Sequence, residues 1–111
     1  MEEGQIILTV FETDKAKKIR PALVLRKAPK YNDYLVCGIS SKLYEEVDDF
    51  DMLINEGHPD FKNSGLKHDG LIRLFFLGMI REEEILGSIG SVSKATLHTL
   101  QGRLADYIHQ K

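Results

Sequence analysis

The stretch KAKKIRPALVLRK, residues 15–27, places Lys15, Lys17, Lys18 and Arg20 just before Pro21 and an apolar, strand-like run. Cations at that density can hold phosphate, and Arg20 is the best suited of them. Its planar fork meets two phosphate oxygens at once, and Pro21 fixes the next φ at about −65°, which defines the arginine's direction. A proline at the first residue of a strand costs no ladder bond. Lys17 and Lys18, in the loop before it, add electrostatic assistance. The other reading is a solvated loop whose Arg20 pairs with an acid such as Glu12 or Asp14. The residues by themselves leave both readings open.

His58 and His68 flank a glycine-rich loop and can exchange a proton near neutral pH, or simply face solvent. Neither HxxxH nor CxxC spacing occurs, so a zinc site is not expected. The run EVDDFD, residues 46–51, has the oxygens of a magnesium site, but read as a strand it spreads them over both faces. A solvated acidic edge, which discourages edge-to-edge pairing, is the expectation there. Tyr31 and Tyr34, beside Lys30, are candidates for stacking on bases, although aromatics that pack a loop are the commoner case. Phe75, Phe76 and Leu77 are expected to fill the core and a dimer interface. His98 and His109 lie off the apolar stripe of the last helix and are given no role.

These groups need elements to position them. QIILTVF at 5–11, PALVLR at 21–26, YLVCGIS at 34–40, FDMLIN at 50–55 and GLIRLFFLGMI at 70–80 read as strands, with a further short strand near Ile89. ETDKAKK, KAPKYND and EGHPDFKNSG read as loops. Several runs are apolar on both parities, as in curved strands with core on one face and another element or subunit on the other. From Ser93, an N-cap, the period changes: Leu97, Leu100, Leu104 and Ile108 make one stripe of a helix. The expectation is a mainly β, SH3-like small barrel of five to seven strands with a C-terminal helix.

The 111 residues suit one domain with a real core, and 42% apolar with 29% charged residues exclude a disordered tail. A net charge of −2 gives no overall attraction to nucleic acid, so any affinity must come from local clustering such as residues 15–30. The single cysteine, Cys37, has apolar neighbours and reads as a buried thiol in a reducing compartment. No apolar run approaches the ~20 residues of a membrane helix, and Met1 is followed by Glu2 and Glu3, so a cytoplasmic protein is expected.

Taken in order, EGQIILTVF, the basic loop, IRPALVL, a strand ending GISS, an acidic strand, GLKHDGLIRL and IGSVS before a last helix resemble the MazF/PemK family of toxin-antitoxin ribonucleases. The resemblance runs from Gly4 to about Ile108. It implies an SH3-like barrel, a symmetric homodimer, and cleavage of single-stranded RNA without metal or other cofactor. It also implies a cognate antitoxin whose extended or helical tail covers the basic groove. In that family an arginine directly before the proline and a threonine after an isoleucine serve the reaction. Arg20 matches the first. Ser40, after Ile39, stands where the threonine is usual, and Ser41 takes its place if the register is one off. Gly70 stands where a serine is common.

On this resemblance the 2′-hydroxyl attacks the adjacent phosphate, Arg20 stabilises the charge and protonates the leaving oxygen, and Ser40 bonds a phosphate oxygen or the 2′-hydroxyl. Lys17, Lys18, Ser41, His58 and His68 are the candidate substrate-binding residues. The rival from another class is a non-catalytic barrel that keeps the groove and binds nucleic acid or a protein partner, and Ser40 and Gly70 favour it.

Overall fold

A computed structural model describes residues 1–12 and 14–110; Thr13, within the expected ETDKAKK loop, lies outside the described residues. Six strands form one antiparallel sheet: β1 (Gln5–Glu12), β2 (Lys17–Lys27), β3 (Asp33–Ser40), β4 (Met52–Ile54), β5 (Gly70–Arg81) and β6 (Gly87–Ser91), in the spatial order β4-β5-β3-β2-β1-β6. Two α-helices accompany it among the described residues, α1 (Phe61–Ser64) before β5 and α2 (Lys94–Ile108) after β6. The strand count falls within the expected range.

Parity decides which face each residue buries. Ile6, Leu23, Leu25, Cys37, Ile39, Ile72 and Leu74 face the main core, which α2 covers with Leu97, Leu100 and Leu104. Ile7, Ala22, Val24, Tyr34 and Val36 point the other way into a second, smaller cluster capped by Phe11, Ile80 and Ile85. That second cluster is why these strands are apolar on both parities. Tyr34, expected as a stacking residue, is fully buried, and its hydroxyl accepts from the Met1 amine at 3.2 Å. Tyr31 is exposed.

The sheet is curled toward closure. α1 leads into β5 near one end of the strand order, yet it packs against β6 at the other end. Gly65 ends α1 with φ of 75°, and a Cβ there would collide with the Ile89 carbonyl. This close approach anchors the segment that follows, Leu66 to Asp69.

α2 starts as expected, with the Ser93 hydroxyl accepting from the Thr96 N–H at 3.2 Å. Truncating the fully buried Leu100 to alanine is expected to cost about 2–5 kcal/mol. Ile108, the last member of the apolar stripe, is exposed instead of buried.

Three further expectations are corrected. β2 begins at Lys17 and not at Pro21, so Lys17 and Lys18 are strand residues opposite Glu12 and Phe11. The acidic run is not a strand, and although Glu46, Asp48 and Asp49 are solvated as expected, Asp51 is buried: its carboxylate accepts the N–H groups of Val47 at 2.9 Å and Leu74 at 3.0 Å. Arg103 of α2 donates to the carbonyls of Phe50 and Asp51 beside it, so the segment clasps helix to sheet. Phe75, Phe76 and Leu77 are 47%, 37% and 40% exposed, so they do not fill the core of this chain.

Candidate active-site groove

The groove exists because two neighbouring strands part. β2 pairs with β1 from Glu12 and Lys17 through Ile6 and Leu23, but its ladder with β3 starts only at Ala22 and Gly38. Pro21 sits at the point of separation, where the missing N–H loses no bond to β3. Beyond it Arg20 and Pro21 form one wall, and Ile39, Ser40 and Ser41 at the end of β3 form the facing one. The segment from Leu66 to Gly70, anchored through Gly65, supplies a third side.

The groove's volume is about 350 Å³. Lys18, Arg20 and Lys67 line it against one carboxylate, Asp69, so the groove presents net positive charge on a chain that is net negative. Among the described residues no carboxylate lies within ion-pair distance of Arg20, and its guanidinium remains available to an anion. A second depression of about 500 Å³ continues from the first past Ser41, Lys67, His68 and Asp69 to Leu43, Glu56 and Phe61.

Of the residues singled out from the sequence, Arg20, Ser40, Ser41, Lys18 and His68 line this one groove. Lys17 and His58 do not. Lys17 pairs with Glu12 at 3.3 Å, and the His58 Nδ1 accepts the Asp60 N–H at 3.0 Å.

Ser40 is more tightly held than a strand-end hydroxyl usually is. Its Oγ lies 3.0 Å from Glu45 Oε1 and accepts the Lys42 N–H at 3.0 Å. The same Glu45 oxygen lies 3.6 Å from Arg73 Nη1, whose neighbouring Nε is buried without a hydrogen-bond partner among the described residues. Sequence reasoning missed both residues, because Glu45 reads as part of an acidic run and Arg73 as the polar member of a strand. Glu45 reaches Ser40 from the turn that follows β3, and the return of β5 beside β3 brings Arg73 to the same carboxylate.

Gly70 forms part of the floor. A Cβ there would stand 2.8 Å from Ile39 Cγ2 and 2.9 Å from Leu66 Cδ1, too close for any side chain without repacking. Behind the floor, burial and then the nearby Asp51 charge push the Cys37 thiol far up, so it stays protonated and inert.

Residues 2–108 match the model of the PemK-like, MazF-like toxin of type II toxin-antitoxin systems. The chain belongs to this family. No curated protein sequence matches it. Among solved structures it is similar to an endoribonuclease in complex with its cognate antitoxin from a mycobacterial species, with TM-score 0.72, 12% identity and coverage of 100% of this chain and 97% of that one. It is likewise similar to the Mycobacterium tuberculosis toxin MazF-mt6, with TM-score 0.67, 14% identity and coverage of 95% and 98%. A MazE–MazF structure from Deinococcus radiodurans gives TM-score 0.71, 16% identity and coverage of 100% and 98%. At these identities the likeness carries the fold: mainly β, a curled antiparallel sheet with a C-terminal helix, as in MazF-like structures. Among the described residues no helix is long and apolar enough to cross a membrane.

Proposed function

We propose that this MazF-like chain is an endoribonuclease toxin that cuts single-stranded RNA selectively, by attack of a 2′-hydroxyl on the adjacent phosphate. The observation that carries the proposal is the convergence of Arg20 and Ser40, 20 positions apart in the numbering, on one cationic groove where β2 and β3 part. Arg20 meets the scissile phosphate with its fork and neutralises the charge that builds on it. Lys18 and Lys67 hold the flanking backbone as point charges, which assigns charge neutralisation to side chains and requires no metal. His68 and Ser41 bound the passage into the second depression, which has room for the next nucleoside. The substrate is RNA because DNA lacks the nucleophile.

The partners are a cognate antitoxin and a second copy of the chain. An antitoxin segment carrying carboxylates complements the groove and folds or extends on binding. Among the described residues β4 pairs only with Gly70 to Ile72 of β5, and no strand lies beside the outer edge of β5 beyond Ile72. Phe75, Leu77 and Met79 are exposed along that stretch, an apolar edge suited to a second copy.

A second reading keeps the groove without the reaction: a barrel that binds nucleic acid or a protein partner. Its support is the Ser40 hydroxyl, which stands where threonine is usual and is already bonded to Glu45. Induced expression separates the two readings. A ribonuclease arrests growth with fragmentation of cellular RNA, and Arg20→Ala relieves both. Growth arrest with intact RNA contradicts the enzymatic reading.

A further inference from the structure

The bonds already made by Ser40 determine what it can offer a substrate. A serine hydroxyl has one proton and two lone pairs. The neighbouring Lys42 N–H can only donate, so it takes one lone pair at 3.0 Å. An ionised Glu45 carboxylate can only accept, so the 3.0 Å contact with it takes the single proton. One lone pair remains. Toward the groove Ser40 is therefore an acceptor, matched to an O–H and mismatched to a phosphate oxygen. This departs from the phosphate-orienting role that the residue type alone allows.

Glu45 does not line the groove; it stands behind Ser40, half-buried, with Arg73 at 3.6 Å anchoring the same oxygen. On the reading that the chain cuts RNA, we propose that Glu45 is the terminal acceptor of the 2′-hydroxyl proton, reached through Ser40. The 2′-hydroxyl donates to the free Ser40 lone pair. As the O2′–P bond forms, the 2′ proton passes to Ser40 Oγ and the Ser40 proton passes to Glu45 Oε1. The P–O5′ bond breaks, and the 5′-oxygen takes a proton from water in the open groove. The products are a 2′,3′-cyclic phosphate and a 5′-hydroxyl, and Glu45 returns its proton to solvent. Glu45 acts through Ser40 and does not itself touch the substrate. It also fixes the hydroxyl direction that a threonine methyl restricts by crowding, so a serine serves at this position.

The test uses the purified full chain, a single-stranded RNA that the wild type cuts, and single-turnover rates. Glu45→Gln keeps an oxygen that can accept from Ser40 and face Arg73, but it cannot take the proton. It is expected to lower the rate constant at saturating RNA by a factor of ~10²–10⁴, the usual worth of a general base, with RNA affinity unchanged. In Glu45→Ala, added formate is expected to restore cutting where chloride at equal ionic strength does not. Ser40→Ala is expected to be slow and insensitive to formate. Thermal unfolding of each variant identifies any that has lost its fold. Glu45→Gln cutting at the wild-type rate, or folded Glu45→Ala indifferent to formate, overturns the relay and leaves the ribonuclease reading intact. A wild type that cuts no RNA overturns that reading, and the relay with it.

Discussion

Ala22 of β2 pairs with Gly38 of β3, and the ladder between the two strands extends no further toward Arg20 and Ser40. The groove is the gap left by that ending. Gly38 also lets β5 approach closely on the other side of β3: a Cβ on it would meet the Phe76 ring at 2.7 Å. The Arg20 and Ser40 side chains therefore hang from this junction, each two residues beyond the last paired position of its strand.

Two adjacent lysines are expected to behave differently. Lys18 lines the groove, whereas Lys17 pairs with Glu12 at 3.3 Å and does not. Lys18→Ala should weaken RNA binding and lower the slope of log affinity against log salt by about 0.7, the value of one phosphate contact on a single strand. Lys17→Ala should leave the slope unchanged. Fluorescence anisotropy on a labelled RNA across a salt series measures both.

Restoring the serine that is common in the family at position 70 should harm this chain. Its Cβ would press on Ile39 and Leu66, the floor of the groove. Gly70→Ser is expected to cost about 1–3 kcal/mol, the range for overpacking, with no gain in cutting rate. Urea denaturation and a cleavage assay on the same preparation report the two quantities.

Much of the architecture was legible before folding. The runs at 5–11, 34–40 and 70–80 stand out as apolar, β-branched and aromatic stretches between loops and the helix after Ser93 by its period, and each is found within a residue or two. The start of β2 was not legible, because Lys17, Lys18 and Ile19 are exposed and their strand character comes from pairing with β1. Tyr34 looked like a surface aromatic because its burial depends on a second cluster assembled from β1, β2 and β3. The candidate site divides the same way. Arg20 announces itself through Pro21, while the Ser40–Glu45–Arg73 chain joins the end of β3, the turn after it and β5, and exists only in the fold.

Acid is expected to loosen the junction of α1 and α2. Burial alone would raise the Asp60 pKa, but bonds from the Thr96 side chain and from Ser93 outweigh it and hold the carboxyl below its ordinary value. A folded value below the unfolded one means stability that is present above the unfolded carboxyl pKa, about 3.9, and lost as pH falls through the folded value. Asp60→Asn should lower stability by about 1–3 kcal/mol at neutral pH and flatten this acid dependence. Denaturant midpoints between neutral and acidic pH give both.

The Cys37 thiol is expected to be silent in the native protein. It is fully buried and its pKa is pushed far up, first by burial and then by Asp51. A chromogenic thiol reagent should label it only as fast as the protein unfolds. Rapid stoichiometric labelling in native buffer would contradict its placement behind the groove.

The most direct measurement is incubation of the purified protein and its Arg20→Ala variant with a long single-stranded RNA in EDTA, followed by sequencing of the cut ends. The expected result is cuts at discrete sites that leave 5′-hydroxyls, reduced by a factor of at least ~10² in the variant, the scale on which removing a donor to a developing oxyanion slows an enzyme. RNA left whole by the wild type, or cut equally by both proteins, would contradict a ribonuclease built on Arg20.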